Sequence, residues 1–285
     1  MLDAIKLLRI PFSVFLMPIY WLALLYFNDI EWDRAIHLFI LIHFFIYPAS
    51  NGYNCYFDRD EKSIGGLKNP PKVNKFLFPL VVLFDLLALA YAVFIQANLV
   101  FFVAGYLLVS KAYSHPKIRL KKFPLISTAV VAIFQGSFMF FSVQYGVQGN
   151  FSDLFTADNL LLAFCSTIFL LASYPLTQVY QHEEDRNRGD QTLSLVLGIK
   201  GTFYWAGVFF FLGLGLLSFW ILQHYTVNEF LIFLIIGSPV LLYFGHWFKQ
   251  VLQNPGNANF EYSMKMNIIS ALSLSLGLIY LLFLG

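Results

Sequence analysis

Two stretches of the chain carry the same residue types at the same spacing. The first runs Tyr47-Pro-Ala-Ser-Asn-Gly-Tyr-Asn-Cys-Tyr-Phe-Asp58-Arg59, and the second Tyr174-Pro-Leu-Thr-Gln-Val-Tyr-Gln-His-Glu-Glu-Asp185-Arg186. They align without a gap. Tyr, Pro, Tyr, Asp and Arg recur at identical offsets, Ser50 answers Thr177, and Asn51 and Asn54 answer Gln178 and Gln181. On a helix, offsets of 0, 4, 7 and 11 fall within about 60° of one another. The spacing therefore predicts two polar stripes, one of Tyr47, Asn51, Asn54 and Asp58, the other of Tyr174, Gln178, Gln181 and Asp185. Each ends in a carboxylate followed by an arginine. Pro48 and Pro175 lie ten residues before the aspartates, where each can kink its helix and open a cavity on one side.

Two carboxylates among amides repel unless cations intervene. Hard oxygen donors of this kind suit Mg²⁺, which keeps several waters and bridges to substrate phosphates. Glu61 lies three residues after Asp58 and Glu184 lies about 80° off its stripe; both are candidate additional ligands. Asp60 and Glu183 lie beside the same sites and are likewise candidate additional ligands. The plainer reading of all four is solvated loop charge. Arg59, Lys62, Lys68, Lys117, Arg119, Lys121, Lys122, Arg186 and Arg188 supply cations with which a pocket at the membrane edge grips a diphosphate. Topology alone explains most of these charges, and only Arg59 and Arg186, repeated beside the aspartates, stand above that background. A lone asparagine in a span often just joins two helices. Two matched amide–amide–carboxylate stripes point instead to a shared site. The 33 Phe, 16 Tyr and 5 Trp would suit a greasy cavity for an isoprenyl chain and an allylic carbocation, which aromatic faces stabilise. For any single Phe, ordinary packing is the simpler account. Nucleotide-binding loops, zinc-ligand spacings and nucleophile elbows are absent.

The elements that must position these residues are membrane spans. The 285 residues are 59% hydrophobic and 12% charged, too apolar for an ordinary soluble domain. A formal charge of +2 gives no reason to expect a nucleic-acid partner. Cys55 and Cys165 form no ligand spacing and read as small apolar side chains. No cleavable signal peptide is evident, and the first apolar run reads as a first span. A span needs roughly 20 mostly apolar residues. The chain offers nine candidates: 10–27, 36–56, 76–94, 99–112, 124–143, 160–180, 202–222, 230–248 and 264–284, the fourth being short. Seventeen of the 18 Lys and Arg fall in the N-terminal segment, after even-numbered spans, or, as Lys111 and Lys265, at the span ends that border those connections, Arg34 being the exception. The positive-inside rule then puts the N-terminus in the cytoplasm, the C-terminus outside, and both stripes at the cytoplasmic ends of spans two and six. Asp85 lies within span three with no obvious partner.

These residues resemble the UbiA superfamily of intramembrane prenyltransferases, whose members have nine transmembrane helices and two aspartate-rich motifs at the cytoplasmic ends of the second and sixth. Asn54-Cys-Tyr-Phe-Asp58 is similar to the first half of the family's Asn-x-x-x-Asp-x-x-x-Asp. Asp185-Arg186, Gly189 and Thr192-Leu193-Ser-Leu-Val-Leu-Gly198 resemble the end of its second motif and the segment immediately C-terminal to it. Tyr113-Ser-His-Pro-Lys117-Ile-Arg119-Leu-Lys121-Lys122 resembles its basic loop after span four, and Arg9-Ile-Pro11-Phe12 its opening. The resemblance covers the whole chain. Three positions depart from it: Lys62 stands where the first motif ends in Asp, and Gln178 and Gln181 stand where Asp is common.

The resemblance implies an all-α integral membrane protein, one domain over residues 1–285, with nine spans around a central cavity opening near the cytoplasmic face. A bacterial inner (plasma) membrane is the expected location. It further implies a prenyltransferase moving an isoprenyl group from an isoprenyl diphosphate to an aromatic or lipid-like acceptor. Asp58 and Asp185 are expected to hold Mg²⁺, with Asn54 and Gln181 assisting and Glu61 and Glu184 as further metal ligands. Asn51, Gln178, Tyr174, Arg59, Lys117, Arg119 and Arg186 are expected to contact substrate. Two other readings stay open: a terpene cyclase of the same fold with no acceptor, and a non-enzymatic transporter or binding protein, since internal repeats with broken helices also occur in transporters.

Overall fold

The computed structural model describes residues 1–152 and 154–284. Among them there is no strand, only an isolated bridge between Ile64 and Leu67. A helix satisfies its own backbone groups, which is what a chain this apolar needs where no water is present.

The first span is broken. Helix α1 (Leu2–Leu7) turns at Arg9, a left-handed residue with φ 51°, into a 3₁₀ segment Ile10–Leu16 and then α2 (Met17–Leu24). Helix α3 (Trp32–Ile40) runs through a π-helical turn, Leu41–Ile46, into α4 (Tyr47–Asp58). Pro48 would clash with the carbonyl four residues back in a regular helix, and the wider turn just before it supplies the room. Two helices, α5 (Leu77–Ile95) and α6 (Leu99–Ser114), come next, and a short 3₁₀ turn at Leu120–Lys122 leads into α7 (Pro124–Ile133). A second π-helical turn, Phe134–Phe138, joins α7 to α8 (Met139–Gln148). Its Gly136 is non-helical, and a Cβ there would meet the Thr167 backbone at 2.9 Å. The close approach of this turn to the sixth span therefore requires glycine. The remaining elements are α9 (Ala157–Leu176), the short α10 (His182–Arg188), α11 (Leu193–His224), α12 (Val227–Gln253) and α13 (Phe260–Leu284).

Among the described residues, eight helical stretches are long and apolar enough to cross a membrane, the first running from Leu2 to Leu24, across the break at Arg9, rather than from residue 10. The expected fourth span, α6, has 16 residues. At 1.5 Å each it reaches about 24 Å, short of a hydrocarbon core of about 30 Å. Eight of the nine expected spans are thus of spanning length, and the expected fourth is a short helix that packs against α4 and α5. Asp85, unpartnered in the sequence reading, meets Lys111 across the α5–α6 contact at 2.8 Å.

The loops after α4, α6 and α9 gather at one end of the bundle. The Gln191 N–H donates to Lys122 O at 3.3 Å, and the Glu184 carboxylate accepts from the backbone N–H of Glu61 and Lys62 at 3.0 and 2.8 Å. Three sequence-distant loops are thereby fastened over one mouth.

Candidate active site

A cavity of about 320 Å³ opens beneath those loops, and all eight residues of the two stripes line it. The first stripe lies on α4 as expected. The second does not lie on one helix: α9 ends at Leu176, the chain turns through residues 177–181, and α10 begins at His182. Pro175, in the last turn of α9, closes the helix more than it kinks it. Side chains restore the geometry that the helix break gives up. Gln178, buried, accepts from the Ser194 N–H at 3.2 Å at the N-terminus of α11, and the Thr192 hydroxyl donates to Asp185 Oδ2 at 3.2 Å. His182 Nε2 lies 2.7 Å from Ser194 Oγ. The Thr192–Gly198 stretch thus serves as a socket for the second stripe. In the cavity wall, Tyr174 and Tyr113 join by their hydroxyls.

Four aspartates and three cations alternate at the mouth. Lys121 contacts Asp58 and lies 3.7 Å from Asp190 Oδ2. Arg119 grips Asp190 with Nε and Nη2, both at 2.8 Å, and its Nη1 lies 3.6 Å from Asp58. Arg188 contacts Asp60, donates to Asp185 at 3.0 Å, and reaches Asp190 at 3.4 Å. Asp58 and Asp185 are therefore joined through Lys121, Asp190 and Arg188 by contacts of 3.7 Å or less. Burial, with Asp190 and Asp58 nearby, pushes the Asp185 carboxyl up to about 7 against the pull of Lys121 and Thr192. Burial also pushes Asp190 up, but Arg119, Lys121 and Arg188 outweigh it and hold that carboxyl below the usual range.

The amides are engaged around this cluster. Asn51 accepts from Arg9 at 3.0 Å, Asn54 donates to Ser114 at 2.8 Å, and Gln181 donates to Ser63 O at 3.4 Å. Other expected residues lie elsewhere. Arg59, Lys117 and Arg186 are exposed and outside the cavity wall. Arg119 sits behind the wall, against Asp190. Glu61 is exposed, and Glu184 is spent on the 61–62 backbone, so the structure places neither of these candidate metal ligands in the cavity. Lys62, where the first motif lacks its last aspartate, pairs with Glu183 at 2.5 Å on the surface. The carboxylates that do join Asp58 and Asp185 are Asp60 and Asp190.

Arg9, Tyr113 and Asp190 carried no site role in the sequence reading, whereas Asp60 stood among its candidate additional ligands and Lys121 and Arg188 among its diphosphate-gripping cations. Asp190 has no counterpart in the repeat, and its only local signal is Gly189, a left-handed helix terminator with φ 73° of the kind that reverses a chain. That reversal lets the Asp190 N–H donate to Asp185 O at 2.9 Å.

A divalent cation fits this donor set. Asp58 Oδ1 is buried and has no hydrogen-bond partner among the described residues, and four hard carboxylates line the mouth. No group of three His, Cys, Asp or Glu among the described residues is clustered tightly enough to hold an ion alone. Waters or substrate oxygens would have to complete the shell, as is usual for Mg²⁺. Away from the loops the wall is mostly apolar, with Val130, Phe134, Phe169, Leu170, Phe210 and Phe244, and carries Gln135 beside Phe134.

The model of the UbiA prenyltransferase family matches residues 15–269. Among solved structures, an apo UbiA homolog from Aeropyrum pernix K1 is similar with 16% identity and a TM-score of 0.72, over 95% of this chain and 98% of that one. A UbiA homolog from Archaeoglobus fulgidus bound to GPP and Mg²⁺ is similar with 18% identity and a TM-score of 0.69, over 98% and 99%. A structure described for digeranylgeranylglyceryl phosphate synthase in membranes is similar with 18% identity and a TM-score of 0.58, over 97% and 98%. No curated protein matches the chain.

Proposed function

The chain belongs to the UbiA prenyltransferase family, and from that premise we propose that it is a multi-pass membrane enzyme that transfers an isoprenyl group from an isoprenyl diphosphate to an aromatic or lipid-like acceptor. The observation that carries the reading is the polarity of the cavity. A buried cluster of aspartates, lysine and arginine sits at one end, and aromatic and aliphatic wall fills the other. A diphosphate headed by an isoprenyl chain has the same polarity. The Archaeoglobus relative bound to GPP and Mg²⁺ supports both the ligand class and the metal.

Asp58 and Asp185 would hold Mg²⁺, with Asp60 at the rim. Bound there, the ion would neutralise the diphosphate and make it a better leaving group. Lys121 and Arg188, released from their aspartates, would donate to phosphate oxygens as charge builds on the departing pyrophosphate. Arg9, held by Asn51 and by Gly65 O at 3.2 Å, would steady the same group from the first span. Asn54 and Gln181 would orient water or phosphate oxygens, while Gln178 holds the socket. Tyr113 and Tyr174 present aromatic faces where the allylic carbon would lie. The apolar wall beyond keeps water from the cation and leaves it for the acceptor. The whole chain would act as one domain, with the basic end of the bundle and the N-terminus on the cytoplasmic side, the C-terminus outside, in a bacterial inner membrane.

Incubating the purified full chain in nanodiscs with geranyl or farnesyl diphosphate, Mg²⁺ and an extract of membrane lipids and quinone precursors tests the reading. A prenylated adduct is expected. A cyclic hydrocarbon without adduct would favour a cyclase, and no product or pyrophosphate release would refute enzymatic function. Asp58→Ala and Asp185→Ala should each lower turnover by about 10²-fold or more, several kcal/mol in the transition state. Full activity in excess EDTA would remove the metal from the mechanism.

A further inference from the structure

The cluster poses an electrostatic problem. Lys121 is buried, and its closest partner is Asp58, the carboxylate that is to receive the metal. A cation on Asp58, even one entering at the unpartnered Oδ1, repels the Lys121 ammonium held on Oδ2 and draws on the same carboxylate charge, which drives Lys121 off. An evicted ammonium left buried without a partner would be strongly unfavourable, and metal binding would be correspondingly weak.

Asp190 resolves this. It is 2% exposed, and its Oδ2 lies 3.7 Å from Lys121 Nζ, so the lysine sits between two carboxylates. A movement of about 1 Å would bring Lys121 and Asp190 to charge-assisted hydrogen-bond distance. Asp190 cannot follow Lys121 toward Asp58. Arg119 clamps its carboxylate with two bonds of 2.8 Å, and its backbone is held by the Asp185 carbonyl at 2.9 Å. Arg119 is itself out of the cavity wall; only its Nη1, 3.6 Å from Asp58, faces the metal side, while Nε and Nη2 hold Asp190. We propose that Asp190 is a positioning residue that receives Lys121 when a divalent cation takes Asp58, keeping the lysine charged, paired and directed at the cavity. The proposal rests on the metal reading above.

The asymmetry of the contacts supports this role over a purely structural one. A carboxylate that served only to join two loops would be satisfied by Arg119. Asp190 instead faces two further cations, Lys121 and Arg188, both of which line the cavity. Gln191 N–H to Lys122 O already fastens the same two loops through the backbone.

The test is a double-mutant cycle read as Mn²⁺ affinity by electron paramagnetic resonance on the full chain in nanodiscs, without substrate. Asp190→Asn should weaken Mn²⁺ binding about tenfold or more, because Lys121 then has only Asp58. On the high-pH plateau, where Asp185 is ionised in every variant, Lys121→Gln should recover most of that loss in the Asp190→Asn background while changing the parent by only about threefold. Coupling of this kind is not produced by two independent effects. Asp190→Glu, which keeps the carboxylate, should bind Mn²⁺ within about threefold of the parent. Asp190→Ser takes the place of Asp190→Asn in the cycle if the asparagine variant fails to assemble. Losses and gains that add within about twofold, or unchanged binding in Asp190→Asn, would overturn the proposal while leaving the metal site standing. A parent that binds no Mn²⁺ would overturn the metal reading and this proposal with it.

Discussion

Asp185 gives the site a pH dependence whose direction can be worked out. Its carboxyl is pushed up to about 7 from 3.8, first by burial and then by Asp190 and Asp58. At about 1.4 kcal/mol per unit, keeping it ionised among these neighbours costs roughly 4 kcal/mol relative to water. Only the ionised form can ligate a metal, so proton and metal compete. Mn²⁺ affinity should be flat above about pH 7 and fall close to tenfold per unit below it. Lys121 is the largest influence opposing the shift. Replacing it with glutamine removes a cation that favours the carboxylate, so the midpoint must move up, by on the order of one unit for a nearby opposite charge. At pH 7 the ionised fraction would drop from about half to about a tenth. The assay is Mn²⁺ binding by electron paramagnetic resonance across a pH series that brackets neutrality, with no diphosphate present to add its own titration. The plateau at high pH reports the competition at Asp58, and the midpoint reports Asp185, so the two effects of Lys121 separate. A midpoint in the ordinary carboxylate range, or one that moves down in Lys121→Gln, would refute the electrostatic argument.

Two further substitutions test the architecture. Glu184→Ala removes the acceptor of two backbone N–H bonds across the 61–62 turn and should lower stability by about 1–3 kcal/mol, whereas Glu61→Gln should be silent; thermal melts in nanodiscs check the first and turnover the second. Gly136→Ala places a methyl 2.9 Å from the Thr167 backbone and should cost about 1–3 kcal/mol as the turn after α7 is forced away from α9, read as a lower melting temperature; an unchanged melt would mean that the contact yields freely.

The bundle was legible in the sequence because apolar runs and loop charge are strong, local signals. The first stripe was legible for the same reason: α4 is a regular helix, so its period places Tyr47, Asn51, Asn54 and Asp58 together. The second stripe reached the right cavity by a route that periodicity does not describe. Helix α9 stops at Leu176, and Gln178, Thr192 and His182 do by hydrogen bonds what a continuous helix would have done by period. The carboxylate complement was partly misplaced. Of the four acids that proximity in sequence suggested, Asp60 does line the mouth, Glu183 and Glu184 are spent on Lys62 and the 61–62 backbone, and Glu61 faces elsewhere because the chain reverses at the helix end. Arg59, with φ 52°, makes that turn after Asp58. Asp190 is the converse case: the turn at Gly189 swings a residue with no motif of its own back beside Asp185.

The two halves of the repeat therefore position their aspartates by different physics. Asp58 stands at the end of a regular helix that packs against α5 and α6, and its place is set by the packing of those helices. Asp185 stands on a seven-residue helix too short to hold itself. It is fixed by the threonine hydroxyl behind it, by Arg188 in front, and by a glutamine that caps α11. This accounts for an amide at position 178. A neutral side chain there satisfies a backbone N–H through its oxygen without adding a fifth negative charge to a cluster of four aspartates and three cations. An aspartate at 178 would also accept that bond, but it would raise Asp185 further by like-charge repulsion, and the site would then be protonated at the pH where it must bind metal.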